Sequence, residues 1–333
     1  MKIYKKLTVL LSILIIFILS LTACKNNNNI KKVRLNEVVH SVFYTPQYVA
    51  MEKGFFADEG IEIELSVGNG ADKSMTALLS NSADISLLGT EAGIYVYNEG
   101  KKDYPKIFGQ LTQRAGNFLI SRENNLNFDW NDLKEKSIIG GRAGGMPQLV
   151  LEYVLKNKNL KIGEDLDIIN NISFESTAGA FQGGIGDFTV EFEPTATSLE
   201  NNKSGYVVAS LGEESGYIPY TVYMATDEYI KNNKEIIQKF INAIYKGQQW
   251  VNSHTPKEIA EIIHPHFKEF DIDTLSKIIE RYKNQDTWNI NPLVDEKGFN
   301  IIQDIMQEGG ELEKRVPYND IVINDFANKI IQK

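Results

Sequence analysis

The sequence predicts an α/β protein of two lobes, each an open, mostly parallel sheet flanked by helices, followed by a helical C-terminal part. From Val33 onward, short apolar runs alternate with helical stretches, the signature of parallel sheets covered by helices. The series restarts at Phe128-Asp129-Trp130 with a second, smaller set of strands and helices. Beyond the N-terminal segment roughly 300 residues remain, enough for one large or two medium domains with proper cores.

In the first lobe a strand covers Val33 to Val39, and a helix opens near Pro46, a residue tolerated in a first turn, and runs through Gln47 to Phe56 until Glu59-Gly60 stops it. A second strand is Ile61 to Val67. Gly68-Asn69-Gly70 then leads to a helix from Ala71 to Leu79, and Ala83 to Leu88 gives a third strand. Gly89-Thr90-Glu91 opens the next helix, which carries Tyr95 and Tyr97 and precedes a strand at Ile107 to Thr112. In the second lobe, Asp132 to Lys136 leads into strand Ser137 to Gly140, the loop Gly141 to Met146 and helix Pro147 to Lys158. Strand Asp167 to Phe174 follows, then a short helix near Ala178 to Gln182, a strand Asp187 to Phe192, a helix Pro194 to Asn201 and a strand Gly205 to Ser210. Ile218 to Ala225 reads as a strand returning to the first lobe. Apolar residues at three and four spacings then mark helices at Glu235 to Asn252, Pro256 to Ile263, Asp273 to Lys283 and Gly298 to Gln307. This organisation places lobe 1 at 33–117 and 221–333, and lobe 2 at 118–220.

The N-terminus has its own logic. Lys2, Lys5 and Lys6 precede an apolar run from Leu7 to Leu21 and then small residues, which is a secretory signal over 1–23. Leu21-Thr22-Ala23-Cys24 resembles the lipobox of bacterial lipoproteins. That resemblance implies cleavage before Cys24, acylation of its thiol and amine (palmitate among the lipids), and a molecule tethered to the membrane outside the cytoplasm. The alternative is a signal anchor that stays in place with Cys24 unmodified, but the apolar run falls short of the ~20 residues a spanning helix needs. Residues 24–32, with four consecutive asparagines at Asn26 to Asn29, bury too little to order themselves and read as a tether.

Loss of the three leader lysines takes the formal charge from −9 to −12, so the exported part is acidic. Phosphate binding needs a basic stripe and none is visible, which argues against nucleic acid as a partner. With Cys24 as the single cysteine there is no internal disulfide and no thiol metal cluster. An exported body without disulfides has to be stable by burial alone.

The runs "HSVFYTPQYVAMEKGFFADEGIEIEL" (His40 to Leu65), "ADISLLGTE" (Ala83 to Glu91) and "GGRAGGMPQLVLEYVL" (Gly140 to Leu155) resemble the SsuA/THI5-like (NMT1-type) group of solute-binding proteins that serve ABC importers. The resemblance extends from about Val33 to Phe326. It implies the two-lobed periplasmic-binding-protein fold of type II, with two chain crossings between lobes and the helical C-terminal part packed on lobe 1. It further implies a monomer without cofactor, metal or catalysis, whose partners are a small solute, an ABC permease and its ATPase subunit. Members of the group take up sulfonates, nitrate, thiamine pyrimidine precursors or related heterocycles, and acids plus aromatics tilt this chain toward a nitrogen heterocycle. An alkanesulfonate, taurine or nitrate is the alternative. THI5-type pyrimidine synthases share the fold and use a cleft histidine, but their cysteine-rich, iron-associated motif is missing here.

The candidate ligand-binding residues sit where strands end, since open α/β sheets bind ligands outside the carboxyl ends of their strands. Tyr44 and Gln47 follow the first strand; Tyr44 stacks on a planar ligand and Gln47 offers donor and acceptor, or the pair is a surface turn with a core tyrosine. Thr90 and Glu91 follow the third strand and serve either as cleft residues or as helix N-cap and first-turn acid, roles that are compatible. The glycine loop contributes Gly144, Gly145 and Met146, where amides at a helix start can hold a polar or anionic group, or where glycines merely satisfy backbone angles. Glu193, beside Asp187 and Glu191, accepts from ligand nitrogens or is a solvated strand-end acid. Tyr220 and Phe118, at the two crossings, are cleft walls or hinge packing. Trp288 reads as C-terminal core, His40 as a cleft hydrogen-bonding group, and His254, His264 and His266 as surface residues. His264-Pro265-His266 lacks a third ligand of matching spacing, and no Ser-His-Asp or Cys-His arrangement can be assembled.

Overall fold

In the computed structural model, which describes residues 30–332, the chain builds two five-stranded sheets. The strands in chain order are β1 (Lys31–Glu37), β2 (Ile61–Val67), β3 (Ile85–Gly89), β4 (Pro105–Thr112), β5 (Asn117–Ser121), β6 (Ser137–Ile139), β7 (Asp167–Ile169), β8 (Phe188–Phe192), β9 (Tyr206–Ser210) and β10 (Thr221–Thr226). One sheet has the order β2-β1-β3-β10-β4 and the other β7-β6-β8-β5-β9. In each, four strands share a direction and one opposes them: β10 is antiparallel to β3 and β4, and β5 to β8 and β9. The opposing strand is always the one that arrives from the other lobe. A chain crossing at the carboxyl ends of one sheet enters the next sheet from its carboxyl edge, so it can only run backward.

Several expected elements match their residues: β2, the helix Ala71–Leu79 and the helix Pro256–Ile263 have the predicted bounds. The last begins in a capping box, with Thr255 accepting from the Glu258 amide and the Glu258 carboxylate accepting from the Thr255 amide. Differences have local causes. The helix expected from Pro46 through Phe56 is two pieces, Thr45–Glu52 and Phe55–Asp58, broken at Gly54 with φ 72°. Lys31 and Lys32, assigned to the tether, pair with Ile61 and Glu62 in β1. The strand expected over Asp167 to Phe174 stops at Ile169, and Phe174–Ser176 forms a 3-10 turn. Strand β5 was not expected; it is buried along its whole length between β8 and β9, so its residues carry no alternation to betray it.

The C-terminal helices cover the first lobe and also reach the second. Helix Lys234–Ser253 lies on Thr45–Glu52, and a side chain at Gly247 would place its Cβ 2.3 Å from the Pro46 carbonyl oxygen, so only glycine permits this approach. Helix Ile272–Asn284 and the residue after it clasp the first crossing to the end of β8. The Tyr282 hydroxyl donates to the Gly116 carbonyl at 2.9 Å and accepts from the Glu193 amide at 3.1 Å, while Gln285 Nε2 donates to the Ala115 carbonyl at 2.7 Å. Helix Glu296–Glu308 faces the lobe-2 helix Met146–Asn157, with Lys156 Nζ and Glu308 3.0 Å apart. The signal segment 1–23 and Cys24 lie outside the described residues. Among the described residues no helix is long and apolar enough to cross a membrane.

Candidate functional site: a cleft between the lobes

The carboxyl ends of the strands meet across a cavity of about 200 Å³. Lobe 1 supplies Tyr44 from the turn after β1 and Gly89 with Glu91 from the turn after β3; lobe 2 supplies Met146, Phe174 and Phe192; Tyr220 comes from the second crossing. Its aromatic walls are supported from behind by Phe43, whose ring centroid lies 5.5 Å from Phe192 and 5.7 Å from Tyr220. Such a wall suits a planar group, which gains from stacking beyond the area it buries.

Two buried polar atoms in this wall have no protein partner. Glu91 is only 3% exposed and its Oε2 accepts no hydrogen bond; the Tyr220 hydroxyl is equally orphaned. Burial pushes the Glu91 carboxyl up to about 7, against the opposing pull of the Glu91, Met146 and Ala92 amides and the charge of Arg142. The carboxylate folds over Gly89, where an added Cβ would lie 2.0 Å from Oε2. Burial likewise drives the Tyr44 and Tyr220 phenols upward, with Glu91 adding to both, and all three residues line the one cavity. A buried polar atom without a partner costs free energy, and a bound donor would relieve it.

Residues 42–259 match the family model described as NMT1/THI5 like. The chain belongs to the NMT1/THI5-like family. It is 46% identical over 316 residues, 95% of each chain, to YtlA of Bacillus subtilis strain 168, which carries the name of a binding protein without a stated ligand. A 4-amino-5-hydroxymethyl-2-methylpyrimidine phosphate synthase of Schizosaccharomyces pombe is 26% identical over 235 residues, 67% of this chain and 66% of that one. Among solved structures, the alkanesulfonate-binding protein SsuA from Xanthomonas axonopodis pv. citri, bound to MOPS, superposes with a TM-score of 0.70 at 16% identity, covering 88% of this chain and 98% of that one. The type II periplasmic-binding fold expected from the sequence is therefore the fold found.

Within this member of the family, the cavity brings together Tyr44, Glu91, Gly145, Met146 and Tyr220 among the residues expected from sequence. The others are engaged elsewhere. Gln47 is buried with both ends occupied: Nε2 donates to Glu37 at 2.7 Å and Oε1 accepts from the Tyr223 hydroxyl at 3.0 Å. The Thr90 hydroxyl donates to the Pro219 carbonyl, tying the third strand to the return crossing. Gly144 lies off the cavity and its carbonyl accepts from the Tyr95 hydroxyl at 2.9 Å, a hydrogen bond between lobes. Glu193 is not solvated and lies outside this cavity, at the wall of an adjoining one: it accepts from the Thr197 amide and hydroxyl, each at 2.9 Å, and pairs with Arg281, which also holds Glu200 at 2.7 Å. Phe118 packs on Tyr282 rather than in the cavity, and Trp288 is buried, donating to the Phe43 carbonyl at 2.9 Å.

Two histidines are held by protein partners, and His40 lies at the wall of the adjoining chamber. Both ring nitrogens of His40 face acceptors, Nδ1 on Glu37 at 3.0 Å and Nε2 on the His266 carbonyl at 2.9 Å. The hydrogen bond to Glu37 accordingly raises its pKa above the usual histidine range and leaves it no nitrogen for a ligand. His266 is not a surface residue but is wedged against Tyr48, 2.9 Å from Glu52. Sequence reasoning missed Phe174 and Phe192 as walls, though each lies at or just past an expected strand end. The amide at Met146 does attract negative charge, as the glycine loop suggests, but that charge is Glu91 from the opposite lobe.

Proposed function

We propose that this chain is the solute-binding subunit of an ABC importer and that it closes its two lobes on a small nitrogen heterocycle. The observation that carries the ligand class is the unpartnered Glu91 Oε2, set with the Tyr220 hydroxyl among Tyr44, Phe174 and Phe192. A flat ring fills the aromatic space, and an N–H donor on that ring meets Glu91. Closure excludes water and strengthens each of these contacts, so occupancy is linked to the closed shape that a permease recognises. The name of the Bacillus subtilis relative supports a binding role over catalysis. We take lobe 1 as 31–116 and 221–333 and lobe 2 as 117–220, with the protein a monomer held to the outer face of the membrane through acylated Cys24.

A sulfonate or nitrate ligand is the second reading, supported by the fold likeness to SsuA. Lys73 and Arg142 line the same cavity and would favour an anion, but Glu91, whose carboxylate lies beside the Met146 amide, would repel one at that end. Synthase activity of the kind named for the fission yeast relative finds little support, because the only cysteine is Cys24, at the start of the tether.

Thermal unfolding with a panel of aminopyrimidines, flavin-like heterocycles, alkanesulfonates and nitrate tests the reading. Ligand at a hundredfold excess over Kd stabilises by about 2.7 kcal/mol. Stabilisation by a nitrogen heterocycle is expected; stabilisation by sulfonates alone would reverse the ligand assignment. For the anchor, intact-mass analysis of membrane-derived protein should show acylation that Cys24→Ser removes, and an unmodified Cys24 in the wild type would end that part of the proposal.

A further inference from the structure

Beyond the wall made by Phe174 and Phe192 the cleft opens into a second chamber of about 170 Å³. The two chambers share Val39, Asn69, Phe174, Glu175 and Phe192, so a molecule in one borders the other. Glu191 lies in the wall of this second chamber, 5% exposed. Its donors are the Thr189 hydroxyl at 2.8 Å and the Thr177 hydroxyl at 3.2 Å. The Thr177 hydroxyl also reaches the Phe174 carbonyl at 3.0 Å, and its single proton cannot serve both acceptors fully.

Glu193, two residues on, shows what a compensated acid in this strand end looks like. It has Arg281, the Thr197 amide and the Thr197 hydroxyl. Among the described residues Glu191 pairs with no cation, and both ring nitrogens of the nearby His40 are engaged by Glu37 and the His266 carbonyl. Burial raises the Glu191 carboxyl to about 7, as it does Glu91. Two adjoining chambers thus each contain a buried carboxylate without a salt-bridge partner among the described residues, and in Glu91 one oxygen also lacks a hydrogen bond.

We propose that the solute spans both chambers, with a flat ring among Tyr44, Phe174, Phe192 and Tyr220, one N–H donor group on Glu91, and a second, an amine or amidine, on Glu191. This rests on the cleft reading above and narrows it to a ligand with nitrogen donors at both ends. A carboxylate matches an amidinium or ammonium by charge-assisted hydrogen bonds, the strong kind in a water-poor site.

Calorimetric titration tests this with benzamidine and a series of 4-(aminoalkyl)benzamidines bearing one to three methylenes, on the full protein and on Glu191→Gln. At least one two-ended probe should bind wild type tenfold or more tighter than benzamidine. In Glu191→Gln that advantage should vanish while benzamidine affinity stays within twofold. If benzamidine binds but no tail adds affinity, or if the gain survives in Glu191→Gln, the second anchor is refuted and the cleft reading stands. If no probe binds, the reading of Glu91 as a nitrogen acceptor falls, and this inference with it. Should Glu191→Gln fail to fold, Glu191→Asp, which retains the charge but shortens its reach, should weaken the two-ended probes and spare benzamidine; equal affinity for both would overturn the proposal.

Discussion

Replacing Glu91 by Gln should flatten part of the dependence of stability on pH. The carboxyl titrates near 7 in the folded protein against an ordinary value of 4.5. The folded form therefore holds the proton more tightly, and the associated stability is fully present below about 4.5 and lost as pH rises through 7. The 2.5-unit difference between those two values corresponds to about 3 kcal/mol at alkaline pH, of which roughly 2–3 kcal/mol is lost between pH 5 and pH 8. At 3% exposure, solvent screening takes little from this figure. Glutamine keeps the shape and carries no charge, so Glu91→Gln should gain on wild type by that amount across the interval. For a body of this size the gain is about 4 °C in Tm. Thermal unfolding of both proteins at pH 5, 6, 7 and 8 measures it. Glu191 titrates in the same range, but it is present in both proteins and cancels in the difference. Parallel Tm curves for the two proteins would show that Glu91 is not a buried, uncompensated acid, and the ligand assignment built on it would go too.

Other perturbations probe the frame around the cleft. Arg281→Met strips the countercharge from the fully buried Glu193 and should cost about 3–5 kcal/mol in urea unfolding, with most of it restored in Arg281→Met/Glu193→Gln; a loss under about 1 kcal/mol would mean the pair is solvated. Gly89→Ala puts a Cβ 2.0 Å from Glu91 Oε2, so it should displace the carboxylate and lower ligand affinity tenfold or more while the protein stays folded, and unchanged affinity would place Glu91 outside the ligand contact. Tyr95→Phe removes the hydrogen bond to the Gly144 carbonyl, worth about 1 kcal/mol. It should weaken ligand binding about fivefold and enlarge the radius of gyration in X-ray scattering, and a variant unchanged in both would show that this contact does not hold the lobes together.

What the sequence states well is local. Helix Pro256–Ile263 is legible because Thr255, Pro256 and Glu258 signal its start and its apolar residues recur at helical spacing. The cleft position of Tyr44 and Glu91 follows from a rule about strand ends that needs no partner residue. Strand β5 fails the same treatment, since burial on both faces erases the alternation that marks a strand.

Sequence alone determined the two-lobed α/β architecture, the family, and the turns from which a cleft had to be built, because periodicity, caps and glycines act over a few neighbouring residues. Only the tertiary structure decided which acid remains free. Glu91 and Glu193 read alike as acids beside strand ends, yet Arg281, 88 residues further along, neutralises Glu193, while no protein donor reaches Glu91 Oε2. Electrostatic compensation depends on what the fold brings within a few ångströms, and chain distance carries no record of it.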